Sequence, residues 1–169
     1  MAQWHLAQLN VALMNEPLES PGMADFVASL DRINALAESS PGFVWRLQDE
    51  DGDATSFRPL GDNLLMNLSV WQDVASLHTY AFRTAHADIM RRRREWFGRM
   101  REAHAVLWWV PAGHEPTLAE AVERLTHLRT HGASPHAFTF RDAHPPPDAT
   151  PGAAAAAPQR LDDTCPSLG

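Results

Sequence analysis

The chain has 169 residues, of which 44% are hydrophobic, so it is long enough for one domain with a substantial core. Its formal net charge of −7 argues against the clustered positive surface that nucleic-acid-binding proteins require. The single cysteine, Cys165, excludes an intrachain disulfide, and no apolar run approaches the roughly 18 residues that cross a bilayer. Because the first residues also lack the features of a secretory signal, we predict a cytoplasmic protein without nucleic-acid or membrane partners.

The first part of the chain predicts three main strands and one helix. Alternating side chains mark the strands, and Ser20 followed by Pro21 is a favourable helix start, because an N-cap hydroxyl precedes a proline in the first turn. The predicted elements are a strand at residues 4–11, a helix at 20–39, a strand at 43–48, a short return strand at 54–58 and a strand at 63–71.

The rest of the chain predicts helices and one further main strand. Asp73 is a suitable N-cap, and the run from Thr117 to Glu120 is a capping box that begins the last helix. We expect a helix at 74–82, a second helix that contains His86, a strand at 103–110, a helix at 117–131, and a short strand or surface segment at 136–140.

This order of elements predicts an α+β fold: a ferredoxin-like (βαββαβ) antiparallel sheet with helices on one face, plus an extra C-terminal helix. The second face of such a small sheet needs a cover, and a homodimer that packs sheet against sheet through Trp45, Trp108 or Trp109 would provide it. We assign the domain to residues 1–144. Residues 145–169 are rich in proline and alanine and lack aromatic residues, so we predict a disordered tail there.

One predicted helix carries polar residues on its apolar side. His86, Arg93 and Trp96 share a helical face with apolar residues. A guanidinium buried without a partner is costly, so Arg93 must meet a carboxylate, a backbone carbonyl, a ligand or water. The imidazole of His86, with an unperturbed pKa of ~6.5, suits proton transfer, metal ligation or a structural position in the core. The pattern predicts a pocket beneath this helix.

Two strands add further candidates for that pocket. Asn67 and Ser69 share a strand face with Trp71, and this face either lines a pocket or is solvated. Trp71 and Trp96 either fill the core or stack on a ligand. Asn10 stands near the end of the first strand, where capping a turn is its ordinary role.

Three segments carry a resemblance to a known family. In order along the chain they are LSVWQDVASL, YAFRTAHADIMRRRREWF and AVLWWVPAGHEPT. Together with the order of elements, they resemble an uncharacterised bacterial domain family in the dimeric α+β barrel superfamily. Antibiotic-biosynthesis monooxygenases and haem-degrading monooxygenases belong to the same superfamily. The resemblance covers about residues 4–140.

The resemblance implies two different sets of site residues. In the haem-degrading branch it implies an asparagine on the first strand, a tryptophan after the third strand and a helical histidine that ligates haem; Asn10, Trp71 and His86 occupy comparable places. In the cofactor-free branch it implies asparagine, tryptophan, tyrosine and arginine around an aromatic substrate. The candidates there are Asn67, Trp71, Tyr80 and Arg93.

We therefore predict an oxygenase-like enzyme that acts on an aromatic or polyketide-like substrate without a nucleotide cofactor. In this hypothesis His86 moves a proton, while Arg93 and Asn67 stabilise the developing oxyanion. Trp71, Trp96, Tyr80 and Asn10 would hold the substrate. One alternative is a haem-binding or haem-degrading protein with His86 as the metal ligand. The other is a non-enzymatic ligand-binding or structural dimer module.

Overall fold

The computed structural model describes residues 3–149, and its elements follow the predicted order. Of the predicted tail, residues 150–169 lie outside the described part. The elements are β1 (Trp4–Leu13), a 3-10 turn (Pro21–Met23), α1 (Ala24–Ser39), β2 (Phe43–Arg46), β3 (Leu64–Trp71), α2 (Val74–Arg83), α3 (His86–Trp96), β4 (Ala105–Pro111) and α4 (Leu118–His131).

Local sequence signals account for several of these boundaries. The Asp73 carboxylate accepts from the backbone N–H of Ser76 at 2.7 Å, and the Thr117 hydroxyl accepts from that of Glu120 at 3.1 Å, so these two predicted N-caps are confirmed. The Ser20 hydroxyl makes no cap bond, and α1 begins at Ala24 after a 3-10 turn instead of at residue 20. Residues 54–58 form turns, so the predicted return strand is wrong. The Asp53 carboxylate accepts from the backbone N–H and hydroxyl of Thr55, and this local bonding competes with strand pairing.

The four strands lie in the order β2-β3-β1-β4, and all neighbours are antiparallel. This is the split βαβ arrangement of a ferredoxin-like fold, and the predicted α+β architecture is confirmed. Phe138 pairs with Leu107 through two backbone hydrogen bonds, so the segment near residue 138 extends the sheet beyond β4.

One sheet face, which we call the packed face, is apolar and covered by α4. Ala7, Leu9 and Val11 of β1 lie on it, and the buried side of α4 packs over them. Trp108, also on this face, has no exposed surface in the single chain. It therefore offers no apolar area to the predicted sheet-to-sheet dimer, because the extra helix already provides the cover. The homodimer itself stays a prediction.

The other sheet face packs against α1, α2 and α3, with apolar clusters near both ends of β1. Ala12 and Leu65 meet Phe26 and Trp96 in one cluster, while Leu6 belongs to the other. Between these clusters the side chains of β1 and β3 become polar. No helix within residues 3–149 combines the length and apolarity needed to cross a membrane.

Candidate functional site

A cavity of about 200 Å³ lies between the second sheet face and helices α1 and α2. We call this side of the sheet the cavity face. The volume is far larger than the space a single water occupies, so a small molecule could enter. The cavity lies where two polar residues, Gln8 and Asn10, interrupt the apolar pattern of β1. Polar side chains need partners or solvent, and this stretch of sheet is not closed over by close packing.

A hydrogen-bonded network of side chains forms the sheet wall of the cavity. The β1–β3 register places Gln8 opposite Ser69 and Asn10 opposite Asn67. Gln8 Nε2 donates to Asn67 Oδ1 at 2.6 Å and to Ser69 Oγ at 2.8 Å. Trp71 Nε1 also donates to Ser69 Oγ, at 2.9 Å. Because these oxygens are used as acceptors, the Asn67 amide N–H groups and the Ser69 O–H are left as donors.

Four rings form a continuous second wall. Phe43 meets Trp71 edge-on at 5.4 Å between ring centroids, and Trp71 stacks on Tyr80 at 5.0 Å. Tyr80 in turn lies 4.7 Å from the imidazole of His86. Burial raises the pKa of the Tyr80 phenol well above its usual range, and the nearby positive charge of Arg46 only partly opposes this effect. The phenol is therefore neutral, and the wall presents flat surfaces suited to a ring.

His86 lies at the start of α3, is 6% exposed and lines the cavity. Its Nδ1 lies 3.1 Å from the carbonyl oxygen of Ala81. Since a carbonyl only accepts, Nδ1 carries the proton in the neutral ring and Nε2 has the lone pair. Burial lowers the pKa of His86, and the bond to Ala81 opposes this only in part. A neutral imidazole with an unprotonated Nε2 therefore lies beside Tyr80.

Arg46, at the end of β2, lines the cavity although no pattern in the sequence indicated it. Strict alternation from Phe43 would place Arg46 on the packed face, but the strand pairing shifts register between Phe43 and Trp45. This β-bulge aligns Arg46 with Ser69 and turns it towards the cavity. No signal in the sequence marks the bulge.

Two of the predicted site residues lie elsewhere. Trp96 is buried in the separate core cluster, where its ring lies 5.6 Å from that of Phe26. Arg93 is half-buried on α3 and is absent from the lining of the cavity, which includes His86. A helical wheel gives the direction of a side chain but not its position along the axis. Arg93 follows His86 by seven positions, and the helix rise places them about 10 Å apart along the axis.

The remaining predicted residues come together. Asn10, Asn67, Trp71, Tyr80 and His86 all line the cavity, although they come from β1, β3, α2 and α3. Asn10 does not cap a turn, as its place near the end of the strand had suggested, but lies within the sheet opposite Asn67. The sequence therefore identified part of the polar and aromatic lining, and it missed several lining residues from α1, β2 and the segment after β4.

Haem, which the resemblance to the haem-degrading branch implied as a ligand, does not fit the cavity. His86 Nε2 would be a suitable ligand, since a metal-bound histidine commonly donates its other N–H to a carbonyl. However, the pockets that hold drug-sized ligands measure about 300–1,000 Å³, and the haem macrocycle is larger than most such ligands. A cavity of about 200 Å³ cannot enclose it. Within residues 3–149, no cluster of three histidine, cysteine, aspartate or glutamate side chains could hold a metal ion.

Comparisons with known proteins identify a family rather than an activity. A family model described as "Domain of unknown function (DUF3291)" matches residues 5–154. A protein of unknown function from Nitrosomonas europaea, NE2512, is 15% identical, with 69% of this chain and 97% of that chain covered and a TM-score of 0.42. SnoaB, a cofactor-independent oxygenase from Streptomyces nogalater, is 17% identical, with coverage of 68% and 96% and a TM-score of 0.38. No curated protein matches the chain.

Proposed function

Because this chain belongs to the DUF3291 family, whose function is unknown, we propose its activity from the geometry of the cavity. We propose a monooxygenase-like enzyme that acts on an aromatic or polyketide-like substrate without a nucleotide cofactor. The observation that carries the proposal is the buried His86: its Nε2 has the lone pair, its ring lies 4.7 Å from that of Tyr80, and it lines the same cavity as the donors Asn67 and Ser69.

The two walls suit a substrate that is both flat and oxygenated. A ring can pack against the surfaces that Trp71 and Tyr80 provide. A carbonyl oxygen on that ring can accept from the Asn67 amide or the Ser69 hydroxyl, both of which line the cavity. The geometry thus favours a planar ketone or phenol.

The chemistry begins with proton removal. His86 Nε2 takes a proton from a carbon next to the substrate carbonyl, and the electron pair of the C–H bond moves to the oxygen. Donors from Asn67 and Ser69 stabilise the charge that develops there. The resulting enolate is electron-rich enough to reduce dioxygen, which enters as the second substrate. Overall, a CH₂ group and O₂ become a C=O group and water.

The proton-transfer step can be tested without oxygen. The probe is 2-tetralone, a bicyclic ketone with acidic α-protons, and mass spectrometry follows their exchange for deuterium in anaerobic D₂O. We expect the protein to accelerate exchange over buffer and His86→Gln to lower the acceleration by about 10²-fold or more. His131→Gln, on the exposed end of α4, is the matched control and should exchange like the wild type.

Two outcomes would overturn the proposal. One is a wild-type protein that leaves the exchange rate at that of buffer, which would favour a ligand-binding or structural module. The other is full acceleration by His86→Gln, which would assign the base elsewhere. When air is admitted, an oxygen electrode should record consumption by the wild type only in the presence of the ketone. A haemin titration checks the remaining alternative, and we expect no absorption band that depends on His86.

A further inference from the structure

The charged residues that line the cavity have one sign. Arg46 and Arg141 line it, together with the imidazoles of His86 and His104. None of the described residues that line it is acidic. The chain as a whole carries a formal net charge of −7, so this concentration of positive charge runs against the composition of the protein. A concave, partly apolar site with two arginines and no acidic side chain in its described lining concentrates anions, because its low-dielectric walls focus the field.

Arg46 is the more buried of the two arginines. It is 8% exposed, and its Nε donates to Glu38 Oε1 at 2.8 Å, while Nη2 donates to Gln48 Oε1 at 3.3 Å. These bonds use two of the five N–H donors of a guanidinium. Among residues 3–149, no acceptor is seen for the Nη1 edge. The side chain of Glu38 is 46% exposed, so solvent screens this carboxylate more than the buried guanidinium.

The positive charge of Arg46 also extends to the aromatic wall. Arg46 is the charged group that opposes the rise in the pKa of the Tyr80 phenol, so the two side chains are electrostatically coupled. Because Arg46 and Tyr80 also line the same cavity, a ligand that packs against Tyr80 can place an anionic group near Arg46. Asn34, which also lines the cavity, adds an amide from α1 on this side.

From this arrangement we infer that the ligand of the cavity is an aromatic carboxylic acid, with its carboxylate on Arg46 and its ring against Trp71 and Tyr80. A planar carboxylate matches the planar fork of a guanidinium, and such charge-assisted pairs are the strongest hydrogen bonds that proteins form. The cavity of about 200 Å³ limits the acid to about the size of a bicyclic aromatic. The inference deepens the proposed function and rests on it for the identity of the site.

The test compares an acid with its neutral isostere. Isothermal titration calorimetry of the wild-type protein with 2-naphthoate and with 2-naphthamide requires no variant, and we expect the acid to bind at least about tenfold more tightly. Arg46→Gln should weaken binding of the acid by about tenfold or more and change binding of the amide by less than about twofold. Arg91→Gln, an exposed arginine on α3, is the control and should leave both affinities unchanged.

A second variant distinguishes the loss of the contact with the carboxylate from a loss of the fold. Arg46→Lys retains the charge, so it should keep a preference for the acid that is smaller than that of the wild type, because lysine lacks the planar fork. Equal binding of acid and amide, tighter binding of the amide, or no binding of either would overturn the inference.

The two proposals can fail separately. Deuterium exchange of 2-tetralone needs no carboxylate and reports on His86 alone. Exchange of 2-tetralone without a preference for the acid would overturn the inference that the ligand is a carboxylic acid and leave the proposed function intact. A preference for the acid without exchange would overturn the proposed function and leave an anion-binding site.

Discussion

The two faces of the sheet are built from the same strands yet have opposite characters. On the packed face, Leu9 and its neighbours meet α4 in a continuous apolar core. On the cavity face, Gln8 and Asn10, which flank Leu9 in the sequence, line a cavity of about 200 Å³. Because side chains alternate along a strand, a shift of one residue separates the two environments. The packed face stabilises the fold, which allows the cavity face to keep polar groups that close packing would exclude.

This comparison predicts the largest loss of stability on the packed face. Trp108→Ala should lower the free energy of unfolding by about 3–5 kcal/mol, because it removes a large, fully buried ring and leaves a void. Its Nε1 hydrogen bond to Glu120, 2.9 Å long, is lost as well. Urea denaturation measures the change. Trp109, the neighbouring residue on the cavity face, is half-buried, so Trp109→Ala should lower the free energy of unfolding less. An equal or greater loss of stability would contradict the expected difference between the two faces.

A smaller loss is expected within the polar network of the cavity face. Ser69→Ala removes the acceptor that Gln8 and Trp71 share, so it leaves the buried indole N–H of Trp71 without a partner. We expect the free energy of unfolding to fall by about 1–3 kcal/mol, again measured in urea. Ser39→Ala, on an exposed serine at the end of α1, is the control. A Ser69→Ala variant as stable as the wild type would show that water replaces the hydroxyl, and the network would then have no structural role.

The smallest effect is a dependence of stability on pH. Burial lowers the pKa of His86 in the folded state, so the unfolded state binds more protons below pH ~6.5. Stability should therefore be greatest above the unfolded pKa and fall as the pH drops through it towards the folded pKa. Urea titrations between about pH 5 and about pH 8 should show a weaker fall for His86→Gln than for the wild type. Since the pKa values of His78 and His127 are also lowered, only the difference between the two proteins is diagnostic, and identical slopes would contradict the assignment.

Much of the site could be predicted because it follows from strand and helix periodicity. Alternation placed Asn67, Ser69 and Trp71 on one face, and the structure confirms that all three line the cavity. The apolar face of the following helix indicated that His86 turns inward, and it does. Periodicity could not give distance along the helix axis, which is why Arg93 was predicted at a site that it does not line.

The sequence alone determined the order of the strands and helices, their main caps and the faces that each presents, because these depend on residues close together in the chain. Only the tertiary structure decided that α4 covers the packed face and that a β-bulge turns Arg46 into the cavity. Both depend on contacts between distant segments, and a shift of one residue in strand pairing moves a side chain to the opposite face without a mark in the local sequence.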